Sequence, residues 1–389
     1  LDLVSFTFDL TAKKYSMPKK DYTVDIHCHT SLRALNTSSA NNWENTTNPE
    51  GETAIGRWAR LKTHEMTKQS QSNYNASVEG GVRVIIDALH SLEKGWYDFR
   101  LMPSLLMKKA RRNEVLQVVS GITAHRLKEV IGRDNYFVEL EESYKFLEYN
   151  QGVNRLNGWN YQLVENYDQL LRVLEREQTI AVLVCIEGGH CLGVSSPLML
   201  KKSQEYLSKV VVRNIHKVKE WKYPPIYLTL NHFFWNQLAG HAKSLKPPVS
   251  LLYSQNKGMN LGITDLGWIV IEELLTRSNG KRIHIDVKHM SAVSRKQYYA
   301  YVRRNNKINV NDKIPVLSSH TGVSGLNTLD DMINYKTDSE AYFNDWSLNM
   351  CSEDLHMIHD SGGFFGLILD KAVLGHSHLL NDIKNIKDP

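Results

Sequence analysis

Val24-Asp25-Ile26-His27-Cys28-His29 is a short apolar run that ends in two histidines one residue apart. Successive side chains of a strand point to opposite faces, so His27 and His29 project from the same side and can converge on one metal ion. A lone His-x-His pair is weak evidence, because a single histidine is more often a core or surface residue than a ligand. What gives the pair weight is a series of further histidines and acids, each placed where another apolar run ends.

That series recurs along the chain. Residues 82–89 (VRVIIDAL) read as a second buried strand, and residues 180–187 (IAVLVCIE) as a third, ending in Glu187 before Gly188-Gly189-His190. Residues 226–232 (IYLTLNH), 283–289 (IHIDVKH) and 314–320 (IPVLSSH) end in His232, His289 and His320, and 363–370 (GFFGLILD) ends in Asp370. Helical spacing falls between them, over 103–132, 140–148, 165–176, 197–222, 265–276, 292–304, 329–333 and 353–360, with the start of one more helix at 377–386. Residues 1–10 alternate enough for a strand outside the main sheet, and 31–80 form a polar insertion with a helix near 54–67.

Apolar strands alternating with amphipathic helices indicate a parallel sheet covered by helices. Seven such strands predict an α/β fold of the (β/α)8 TIM type, a single domain over 1–389 whose eighth strand is unaccounted for; an open doubly wound sheet is the alternative. Polar residues closing so many strands favour the barrel, whose active site lies at the C-terminal strand ends.

At 389 residues and 42% hydrophobic content the chain can bury a substantial core. The formal charge is +5, but no basic stripe interleaved with aromatics argues for nucleic acid. Cys28, Cys185, Cys191 and Cys351 show no C-x-x-C spacing and are too few for a disulfide framework. No apolar run has the length of a membrane span, and a chain opening on Leu1 is expected to be soluble, either cytoplasmic or exported with its signal removed. A homodimer is compatible with all of this.

A hydrolytic metal site needs neutral imidazoles and carboxylates that hold divalent cations and leave a position for water. His27 and His29 are expected on one ion and His289 and His320 on a second, with Glu187 bridging the two and zinc as the default metal. A water held between both ions would be the nucleophile near neutral pH.

Four segments resemble the membrane (renal) dipeptidase family of the amidohydrolase superfamily. Cys185-Ile186-Glu187-Gly188-Gly189-His190 is similar to its E-G-G-H segment and Leu228-Thr229-Leu230-Asn231-His232 to its L-T-L-T-H strand. Ile285-Asp286-Val287-Lys288-His289-Met290-Ser291 resembles I-D-L-S-H-V-S, and residues 315–320 resemble P-V-I-x-S-H; order and spacing agree from about residue 23 to 370. The resemblance implies a binuclear zinc barrel that hydrolyses dipeptides, with His232 beside the substrate carbonyl to stabilise the oxyanion.

Three departures bear on the substrate. The family has Asp where this chain has His29, and it has a carboxylate-gripping Arg after the sixth strand where residues 321–331 contain none. Its S-D-F-D-G strand, whose Asp transfers protons, has no counterpart here, leaving Asp370 as a substitute candidate. The expected activity is therefore a metal-dependent, dipeptidase-like hydrolase acting on an amide bond in a small molecule. Lactone or phosphoester cleavage, or a barrel that has lost catalysis, are the alternatives.

Overall fold

The computed structural model describes residues 22–36, 41–44, 53–54, 56–58, 72–97, 109–153, 158–245, 250, 253–334 and 343–375. Its strands in chain order are β1 (Thr23–Cys28), β2 (Val82–Leu89), β3 (Gly152–Val153), β4 (Asn160–Leu163), β5 (Thr179–Glu187), β6 (Tyr227–Thr229), β7 (His284–Asp286), β8 (Leu317–Thr321) and β9 (Phe364–Leu367). β5 is buried along almost its whole length, as a continuous run of β-branched and aliphatic residues must be when both faces of a parallel sheet are covered. From it the sheet runs β1-β2-β5-β6-β7-β8-β9, parallel at every step.

The ends of this path come close to each other. Tyr227 of β6 donates its hydroxyl to the Ile26 carbonyl of β1 across the interior at 2.7 Å. Gly366 of β9 packs so tightly that a Cβ would strike both the Ser319 carbonyl and the Ile26 side chain. The result is a nearly closed barrel, with the expected layer of helices around it.

Helix starts follow capping chemistry. Asn73, Thr123, Asn135, Asn166, Ser203, Thr264 and Ser291 each accept a first-turn backbone N–H, satisfying a donor the helix cannot. The helices Gln204–Lys219, Asp265–Leu275 and Ala292–Ile308 pack Val211, Ile215, Val270, Leu274, Tyr298 and Val302 against the strands.

Several expectations need correction. The sheet does contain an eighth parallel strand, but it is β4, a short segment between the helices expected over 140–148 and 165–176 to which the sequence pattern assigns no element. It pairs with residues 179–182 of β5, on the same edge where β6 pairs with Ile186 and Glu187. A four-residue strand shows too few alternations to stand out from a loop. The strands β6 and β7 are three residues each, so His232 and His289 lie beyond the ladders, at the flaring mouth. The helix expected over 197–222 is a separate turn, Met199–Lys201, followed by Gln204–Lys219 capped by Ser203. The strand expected at 1–10, most of the helix near 54–67 and the helix at 377–386 lie outside the described residues.

Candidate functional site

Glu187 ends β5 with its side chain buried in the barrel mouth, and six imidazoles surround its carboxylate. Oε1 faces Nε2 of His27 at 3.4 Å, of His289 at 3.6 Å and of His320 at 3.2 Å. Oε2 faces Nε2 of His29 at 2.9 Å and of His232 at 3.5 Å, with Nδ1 of His90 at 4.0 Å. All five expected histidines converge here. Of the two histidines expected on one ion, His27 faces Oε1 and His29 faces Oε2, with ring centroids 5.1 Å apart. His27 also stacks on His320, ring centroids 4.0 Å apart.

The partners of the other ring nitrogen decide each tautomer. His29 Nδ1 lies 2.8 Å from the Ala88 carbonyl, which can only accept, so Nδ1 carries the proton. His320 Nδ1 meets Ser319 Oγ at 2.7 Å; that hydroxyl already donates to Asp286 at 2.6 Å and so accepts from the ring. His27 Nδ1 lies 3.0 Å from the Tyr227 hydroxyl, which donates to Ile26 and therefore also accepts. His232 Nδ1 lies 2.5 Å from Glu93 Oε1. In their neutral forms four rings thus turn an Nε2 lone pair toward one carboxylate.

Lone pairs pointed at an anion repel it unless a cation or a proton lies between. The orphaned buried nitrogens His27 Nε2 and His289 Nε2 sit at this point, without a hydrogen-bond partner. Burial keeps proton charge off several of the rings: it pushes His289 down to about 3, and His90 and His320 well below the usual imidazole value. Burial would raise Glu187, but His232, His29 and His27 outweigh it and hold the carboxyl well below its ordinary value. In their neutral forms these imidazoles, with an ionised carboxylate and outward N–H groups anchored to oxygen, form a donor set that fits divalent cations.

The remaining candidate, Asp370, lines the mouth of the cavity but is exposed, and its Oδ1 accepts the Val373 N–H at 3.2 Å. It is not among the side chains gathered on Glu187. The cavity itself is about 850 Å³, with Trp96, Phe233, Trp346 and Leu348 making apolar walls and Lys288 beside His289.

Two contributors were missed. His90 directly follows β2 and donates Nδ1–H to the Glu187 carbonyl at 3.0 Å; the strand-end rule that selected His232 would have found it, had the second run been extended by one residue. Glu93 lies in the connection that follows, where no periodicity marks it. Burial would raise its carboxyl, yet His232, His190 and His90 together bring it down to about 2.

No family model and no curated protein matches the chain. Solved structures similar to it include the probable dipeptidase PvdM from Pseudomonas aeruginosa, at 15% identity and a TM-score of 0.42, covering 76% of this chain and 53% of that one. A metallo-peptidase from Rhodobacter sphaeroides, bound to a phosphinate mimic of the dipeptide L-Ala-D-Ala, is 11% identical with a TM-score of 0.44 over 90% of this chain and 75% of that one. Dipeptidase AC, a metallo-peptidase of family M19, is 11% identical with a TM-score of 0.37 over 76% and 62%. The chain thus spans about half the length of the first of these.

Proposed function

We propose that the chain is a metal-dependent hydrolase of dipeptidase-like type that cleaves an amide bond in a small substrate. The observation that carries this reading is the convergence of Nε2 lone pairs from His27, His29, His232 and His320 on the Glu187 carboxylate. Glu187, His27, His29, His289 and His320 would hold two divalent cations, zinc by the preference of imidazole and carboxylate donors, with manganese or iron able to use the same set. Bound there, such cations would lower the pKa of a water and polarise a carbonyl.

The chain's own groups do the rest. Tyr227, the Ala88 carbonyl and Ser319 hold three of the ligating rings in fixed orientation through their Nδ1 protons. His232 faces the same cavity, and as an imidazolium, with Nδ1–H kept on Glu93, its Nε2–H would be placed to stabilise negative charge on a substrate carbonyl oxygen. The apolar walls around Trp96 and Phe233 exclude water from the reacting bond. The motif resemblance supports an amide substrate.

The test is metal analysis together with turnover of dipeptides, lactones and phosphoesters by wild type and Glu187→Ala. Wild type should bind about two equivalents of divalent metal and hydrolyse a dipeptide, and Glu187→Ala should lose both properties. Full turnover by metal-stripped Glu187→Ala would overturn the proposal.

A further inference from the structure

Glu93 is buried, 3% exposed, and holds three consecutive residues of the loop after β6. Its Oε1 accepts from His232 Nδ1 at 2.5 Å and from the Phe233 N–H at 3.2 Å, and Oε2 accepts from the Phe234 N–H at 3.1 Å. The two backbone donors fix the carboxylate regardless of what the ring does. Glu93 also lines a second cavity of about 430 Å³, together with Lys94, Tyr136, His190 and Ser195. His232, which it holds, lines the main cavity.

We infer that Glu93 is the positioning residue for His232, fixing its ring plane and its Nδ1–H tautomer so that Nε2 is presented to the site beside Glu187. A ring turned by 180° about χ2 would put Cδ2 where Nδ1 lies and Cε1 where Nε2 lies. The carboxylate selects the observed state, because only there does a ring N–H, on Nδ1, face it. Its kinetic consequence rests on the hydrolase reading; its consequence for the ring does not.

A competing role for Glu93 is to pin the 232–234 loop, and one experiment separates the two. Glu93→Ala would leave a carboxylate-sized space continuous with the second cavity, into which formate can diffuse. Formate can restore an acceptor at Nδ1 but cannot restore the covalent tie to the loop. In ¹⁵N-histidine spectra of the metal-free protein, the His232 Nδ1–H resonance should lie far downfield, be lost in Glu93→Ala and return with formate. In the loaded enzyme kcat should fall about 10- to 100-fold with KM little changed, and formate should restore it saturably. His232→Ala should show no such rescue. Persistence of the resonance in Glu93→Ala, or its failure to return with formate, would overturn the inference. Should Glu93→Ala not fold, Glu93→Gln keeps the volume, and an unshifted Nδ1–H resonance there would overturn it equally. If wild type turns over no substrate, the hydrolase reading fails while the spectra still decide the role of Glu93.

Discussion

Replacing Asp354 with Ala should destabilise the protein more than any surface change, because it strands a buried cation. Arg295 and Asp354 are both fully buried, joined by Nε–Oδ1 at 2.9 Å and Nη2–Oδ2 at 3.2 Å. Asp354 also accepts from the Tyr299 hydroxyl at 2.7 Å and the Cys351 N–H at 2.8 Å. Arg295 Nη1 donates to the carbonyls of Met290, next to His289, at 2.9 Å and of Ser347 at 2.6 Å, so the pair ties a site segment to the helix Ala292–Ile308. Removing one partner of such a pair costs about 3–5 kcal/mol, and the two orphaned donors place Asp354→Ala toward the upper end. Against a typical net stability of about 5–15 kcal/mol, that is a large share. The double replacement Arg295→Met with Asp354→Leu removes both charges and should recover about 2 kcal/mol or more relative to the sum of the single changes. Urea unfolding followed by circular dichroism, with the slope m unchanged, measures each value. A loss below about 1 kcal/mol for Asp354→Ala, or strict additivity in the double variant, would refute the reasoning.

Tyr227→Phe removes the hydroxyl that accepts from His27 Nδ1 and donates to the Ile26 carbonyl. Metal affinity measured by chelator competition should fall about 10- to 100-fold, and an unchanged affinity would separate His27 from the ligand set. Glu139 is 3% exposed, and burial outweighs the pull of Arg126 and raises its carboxyl from 4.5 to about 7. Because the folded state keeps this proton longer than the unfolded one, its contribution is fully favourable below about pH 4.5 and about 3 kcal/mol is lost as pH rises to about 7. Glu139→Gln should flatten the stability profile across that window, as read by thermal unfolding at several pH values. A slope identical to wild type would show that Glu139 titrates normally.

The local signals that sequence carries are alternation, helical periodicity and polar residues closing apolar runs. These placed the barrel strands and brought His27, His29, Glu187, His232, His289 and His320 to one mouth, because hydrophobic pattern depends on near neighbours along the chain. Short β4 and the ends of β6 and β7 escaped for the same reason: a ladder of three or four residues holds too little pattern to mark its limits. Glu93 and Tyr227 became legible only in the folded chain. Glu93 meets a histidine 139 residues away and Tyr227 meets one 200 residues away. The orientation of each ring was likewise decided by tertiary structure alone. A histidine's identity states that it has two nitrogens; which one faces Glu187 depends on the acceptor packed behind the other, and those acceptors arrive only when separate strands close around the barrel mouth.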